Sequence, residues 1–142
     1  MERQDAKMPS RQEPAKEVDE WAHRVIGAAI EVHRHLGPGY PESIYEEALC
    51  HELQLRGIPF ERQPRINVNF KGHHVGRGTM DIWVARCLVV ELKAVETVLP
   101  RHLAQGNAYL KATCNELALV INFNVAVLKD GVHRVVLTSS SR

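Results

Sequence analysis

Cysteine is scarce in this chain, with only Cys50, Cys87 and Cys114 among 142 residues. An odd number with no CxxC pair argues against a disulfide scaffold or a zinc site, and a reducing, cytoplasmic setting is the expectation. An excess of charge of one sign is also missing. The formal net charge is +1, so no global basic field marks a nucleic-acid binder and any such surface has to be local. No apolar run approaches the ~20 residues that span a bilayer, and the charged, proline-containing start does not read as a secretory signal. No internal repeat or low-complexity tract is present.

What the chain does have is apolar content, 44%, enough at this length to bury one core. Residues 1–16 mix charges with Pro9 and Pro14 and have no apolar period, so they read as a disordered tail ahead of one domain over 17–142. From about Glu17, Trp21, Val25, Ala29, Val32 and Leu36 recur at helical spacing up to the stop at Gly37-Pro38. A second helix is expected from about Pro41 to Arg56, with Pro41 in its first turn and Gly57 closing it. Ile44, Ala48, His51 and Leu55 form one stripe on it, and Tyr45, Leu49 and Leu53 another, which predicts two mostly buried faces. Glu42 opens this helix, where a first-turn acid complements the macrodipole. His33 and His35 point different ways and suggest no joint metal site.

Short strands follow over Phe60 to Gln63 and Ile66 to Phe70, broken at Pro64, then a turn at Lys71-Gly72 and a strand that is expected to run from about Val75 into the central hairpin. Arg62, Arg65, Lys71 and Arg77 lie in a stretch without an acid, together with His73 and His74. Such a stripe suits a phosphate backbone, or is simply a solvated face.

Met80 to Lys93 reads as a β-hairpin turning near Arg86. Strand alternation then places Asp81 across from Glu91 on one face, with Lys93 one step further along it. The other face, Ile82, Val84, Leu88, Val90 and Leu92, is wholly apolar, as in a sheet covered on both sides. Two carboxylates a few ångströms apart repel, and burying them is costly without a cation or proton between them. Two readings stay open on these residues. A divalent ion such as Mg²⁺, which prefers carboxylate oxygens, resolves the conflict, with Lys93 facing a water or phosphate; or Lys93 neutralises the acids in an ordinary ion pair.

A helix from about Pro100 to Cys114 carries His102, Gln105 and Tyr109 on one polar stripe, directed at the charged end of the sheet or at solvent. A buried strand over Glu116 to Phe123, a turn at Lys129-Asp130-Gly131 and a last strand over Val132 to Leu137 complete the chain.

The run Gly39-Tyr40-Pro41-Glu42-Ser43-Ile44-Tyr45 fits GxxExxY without a gap, and is followed in order by Asp81, Glu91-x-Lys93 and Gln105-x-x-x-Tyr109. In these motifs, over about Trp21 to Leu137, the chain resembles the GxxExxY proteins, a family assigned to the PD-(D/E)XK nuclease superfamily. The resemblance implies an α/β restriction-endonuclease-like core, a central mixed β-sheet flanked by helices. It implies Asp81 and Glu91 as metal ligands for Mg²⁺ or Mn²⁺, Lys93 as the catalytic lysine, Glu42 contributing from its helix start, and Gln105 and Tyr109 in the place of the Gln-x-x-x-Tyr of RecB-like nucleases. Met80 stands where proline usually precedes the aspartate.

The expected activity is metal-dependent hydrolysis of phosphodiester bonds in nucleic acid, DNA first, with Arg62, Arg65, Lys71 and Arg77 on the substrate. The alternatives are a catalytically silent nuclease-fold protein that binds nucleic acid or a protein partner, and a scaffold whose acidic cluster is purely structural. No membrane partner is expected. A homo-oligomer is compatible with the sequence but not indicated by it.

Overall fold

The computed structural model describes residues 13–137. Most of the expected disordered tail, 1–16, lies outside the described residues, and the first helix begins at its last position. The elements are α1 (Lys16–Leu36), α2 (Glu42–Leu55), β1 (Phe60–Arg62), β2 (Arg65–Phe70), β3 (His73–Thr79), β4 (Ile82–Val84), β5 (Leu88–Lys93), α3 (Pro100–Thr113), β6 (Leu117–Asn122) and β7 (Val132–Val136), with a short 3₁₀ turn at Leu128–Gly131 before the last strand. No helix is long and apolar enough to cross a membrane among the described residues.

A five-stranded sheet has the order β1-β4-β5-β6-β7, while β2 and β3 pair only with each other. β5 and β6 run parallel, joined through α3, and the other pairs are antiparallel. The mixed sheet flanked by helices is the expected α/β architecture. Leu88, Val90 and Leu92 of β5 and Leu117, Leu119 and Ile121 of β6 face α1 and α2 and are fully buried with Val25, Ala29, Tyr45, Leu49 and Leu53. The opposite face carries Val89 and Ala118 beneath Leu110 of α3, with Met80 and Ile66 beside them. Period-two alternation thus sorts β5 into two cores. Gly106 of α3 faces Ala118 and Val120 of the sheet, where a Cβ would make ordinary contact at 3.5 Å with each.

Two expectations fail here. Ile44 and Leu55 are 43% and 68% exposed and His51 is exposed, so α2 buries only its Tyr45-Leu49-Leu53 side. α2 lies against α1 and β5, and that side alone reaches them. Nor does the strand after the Lys71-Gly72 turn run on into the central hairpin. β3 ends at Thr79, Met80 and Asp81 are unpaired, and β4 starts afresh in the other sheet, leaving β2–β3 as a separate two-stranded ribbon. Period two looks the same in either sheet; only the break at Met80-Asp81 separates them.

Candidate active site

The hairpin turns about Arg86, with Ile82 opposite Val90, Trp83 opposite Val89 and Val84 opposite Leu88. Continuing that register one step puts Asp81 opposite Glu91. The backbone then clasps the two acids reciprocally. The Asp81 N–H donates to Glu91 Oε2 at 2.9 Å, and the Leu92 N–H donates to Asp81 Oδ2 at 2.8 Å. Both carboxylates therefore have a fixed orientation without a cationic side chain.

Electrostatically the pair is strained. Glu91 is 2% exposed, and burial first, then the Asp81 charge, push its pKa up to about 8 against the pull of the Asp81 N–H and of Lys93. Asp81 is also raised by burial, an effect that the Leu92 N–H and Lys93 oppose. Glu42, the first residue of α2, is raised by desolvation and then by Asp81, and it in turn raises Glu91. The start of α2 thus brings a third carboxylate within electrostatic range.

Lys93 does not form the ion pair that offered the simpler reading. Its Nζ donates to Gln105 Oε1 at 3.0 Å, and among the described residues neither Asp81, Glu91 nor Glu42 has an ion-pair partner. The acids are left without an ion-pair partner in a partly dry place, where their repulsion is relieved either by a proton, as the raised Glu91 pKa reflects, or by a divalent cation. No group of three or more His, Cys, Asp or Glu among the described residues forms a ready-made metal cage. An ion here would take the two hairpin carboxylates and complete its shell with water and phosphate oxygens, as Mg²⁺ commonly does.

The polar stripe of α3 divides. Gln105 is exposed yet touches Lys93, and Tyr109 donates from its hydroxyl to the Thr79 carbonyl at 2.9 Å. Burial, then Glu91 and Asp81, raise the Tyr109 phenol. His102 instead caps its own helix, its Nδ1 accepting from the Leu99 N–H at 2.9 Å. Gly78 lies flat on the Tyr109 ring, where a Cβ would come to 2.8 Å from Cε1.

The basic stripe divides as well. Arg62 is held by Glu46 at 2.8 Å and Glu47 at 2.9 Å, so its guanidinium, unlike those of the ribbon, already has carboxylate partners. Arg65 and Arg77 stand on the ribbon and Lys71 at its tip, all exposed.

Sequence reasoning passed over three supporting residues. Glu46, 6% exposed, takes Arg62 Nε and Gln63 Nε2 at 2.8 and 2.9 Å, while the Gln63 N–H reaches the Asp81 carbonyl at 2.8 Å. This strap ties α2 to the backbone of Asp81. Its only sequence signal is the i, i+4 spacing from Glu42. Asn122, opposite Lys93 in the register, binds both the N–H and the carbonyl of Val95 at 3.0 and 2.9 Å and so pins the chain as it leaves Lys93. A lone Asn ending an apolar run was the available clue. Tyr45, stacked on Phe123 with ring centroids 4.5 Å apart, donates to the Gly37 carbonyl at 2.6 Å and accepts from the Tyr40 N–H at 3.2 Å. The tyrosine of GxxExxY therefore holds the loop that aims Glu42.

A model of the PD-(D/E)XK nuclease superfamily matches residues 19–135. No curated protein and no solved structure matches the chain. The matched span runs from the first turn of α1 into β7 and takes in the whole five-stranded sheet, the ribbon, and the Asp81, Glu91 and Lys93 cluster. The chain belongs to the PD-(D/E)XK nuclease superfamily.

Proposed function

We propose that this protein is a divalent-metal-dependent nuclease that hydrolyses phosphodiester bonds in DNA, and that within its superfamily it is a GxxExxY protein. The observation that carries the activity is the clasped pair of the buried Glu91 and half-buried Asp81, which among the described residues have no ion-pair partner and stand beside a lysine that is held by Gln105 instead. The finer family assignment rests on Gly39 to Tyr45, where the tyrosine holds the loop that directs Glu42 toward the acids.

Asp81 and Glu91 would hold Mg²⁺ or Mn²⁺, which polarises a phosphate oxygen and lowers the pKa of a bound water. Asp81 and Glu91 contribute preset geometry, since two backbone N–H groups already fix their planes. Lys93 places a positive charge beside the attacked phosphate, where it orients water and offsets the charge that develops in the transition state. Gln105 positions Lys93. Tyr109 secures the ribbon root next to Asp81, and Glu42 adds negative charge that strengthens cation binding.

The test is incubation of the protein with labelled single-stranded, duplex and branched DNA and RNA in Mg²⁺, Mn²⁺ or EDTA, beside Lys93→Met. Cleavage of DNA that needs the metal and vanishes in Lys93→Met is the expected result. A wild-type protein that binds these substrates and cuts none in either metal would instead be the silent, binding form of the fold.

A further inference from the structure

The β2–β3 ribbon sits outside the five-stranded sheet, and within β2 only Ile66 is buried. Its pairing sorts the side chains onto two faces. Arg65 pairs with Thr79, Asn67 with Arg77 and, past a bulge, Asn69 with His74; the intervening pairs are Ile66 with Gly78, Val68 with Gly76 and Phe70 with His73. Directly opposed residues share a face. One face therefore carries Arg65, Asn67, Asn69, His74, Arg77 and Thr79, with the exposed Val75 left unpaired at the bulge. The other, by way of Ile66 and Gly78, lies on Tyr109 and α3. The polar face must then point away from the protein. No acidic residue occurs between Arg62 and Asp81, and among the described residues neither Arg65, Lys71 nor Arg77 pairs with a carboxylate.

We propose that this ribbon is a recognition arm that lies in the major groove of B-form duplex DNA, with the Arg65, Asn67, Asn69 and Arg77 face on the base edges and phosphates. The inference deepens the nuclease reading by naming the form of its substrate and the element that grips it. Size supports it. Strands of six and seven residues span about 20 Å at ~3.4 Å per residue, the length of about six base pairs, and the major groove, ~12 Å wide, admits a two-stranded ribbon. Chemistry supports it too, because arginine to guanine and asparagine to adenine are the bidentate pairings of that groove. A single-strand platform needs a row of aromatic rings, and Phe70 is the one aromatic residue on the ribbon. Duplex RNA has a deep, narrow major groove that side chains do not read. The arm is also well placed, since β3 ends at Thr79, two residues before Asp81, and a duplex held on it is delivered to the acids.

Fluorescence anisotropy in EDTA, where no cutting occurs, tests the arm apart from catalysis. The probes are a 20-base-pair DNA duplex, the matching single strand and the matching RNA duplex. The wild type should bind the DNA duplex at least tenfold tighter than the other two. Arg65→Ala/Arg77→Ala should lose at least tenfold in duplex affinity, with an unchanged melting temperature. Arg34→Ala/Lys129→Ala, which removes the same charge from α1 and the 3₁₀ turn, should change affinity less than threefold. A duplex containing 7-deazaguanine, which lacks the N7 acceptor of the major-groove edge, should bind more weakly. Wild-type affinity in Arg65→Ala/Arg77→Ala, a preference for single strands or RNA, or equal affinity for the deaza duplex would overturn the assignment. Failure of the nuclease reading looks different: ribbon-dependent duplex binding with no cleavage in any metal.

Discussion

Replacing Glu91 by glutamine should make the metal-free protein more stable at neutral and alkaline pH while abolishing its response to divalent ions. Glu91 is 2% exposed, and burial together with Asp81 moves its pKa from 4.5 to about 8. The folded state therefore holds this proton more tightly than the unfolded chain does. The associated stability is complete below about pH 4.5 and is lost as pH rises through about 8. One proton bound only in the folded state changes stability by about 1.4 kcal/mol per pH unit. From pH 5 to 8 that is at most ~4 kcal/mol, and because Asp81 shares the electrostatic burden, roughly half of it, about 2 kcal/mol or ~6 °C in melting temperature, is the expected loss. The glutamine is isosteric with the glutamate and retains an oxygen able to accept the Asp81 N–H. Thermal and urea melts of both proteins in EDTA from pH 5 to 8.5 measure the effect, and the difference between the two profiles cancels the histidines common to both. Excess Mn²⁺ should restore the wild type at pH 8 through linkage and leave the variant unmoved. Parallel profiles in EDTA would mean that the acids are already neutralised within the fold, and the case for a cation between them would collapse.

The other expectations can be checked with standard measurements. Asp81→Asn should lose calorimetrically detectable Mn²⁺ binding, and equal affinity in the two proteins would remove Asp81 as a ligand. Gln105→Ala should melt within ~0.5 kcal/mol of wild type because the side chain is exposed, but cleave DNA at least tenfold more slowly once Lys93 loses its partner. Glu42→Gln should reduce cleavage more than its first-turn contribution of at most ~1 kcal/mol reduces stability; full activity with a lowered melting temperature would leave it a helix-start acid only. In Gly78→Ala the new methyl meets the Tyr109 ring at 2.8 Å, so the ribbon root must shift, with an expected loss of ~1–3 kcal/mol in equilibrium unfolding.

The sequence by itself determined the elements and one piece of their geometry. Leu88 to Lys93 is β-rich and alternates, the turn about Arg86 is short, and a period of two leaves a single register, so Asp81 and Glu91 had to meet on one face with Lys93 beyond them. The apolar face behind them, Ile82, Val84, Leu88, Val90 and Leu92, dictated a sheet covered by helices, and the helix stops at Gly37-Pro38 and Gly57 set the lengths of α1 and α2. These are consequences of neighbours along the chain. Contacts distant in sequence were not legible. That Ile44 and Leu55 face solvent depends on where α2 is laid, that Arg62 belongs to Glu46 and Glu47 depends on the end of β1 coming within reach of that helix, and that β2–β3 leaves the sheet depends on the break at Met80-Asp81. Only the tertiary structure could decide between an ion pair and a free acidic pair at the hairpin, because α3, arriving from twelve residues further on, brings Gln105 to Lys93 and takes the lysine away from the carboxylates. Strand periodicity specifies which side chains share a face; the packing of a remote helix specifies which of them find partners there.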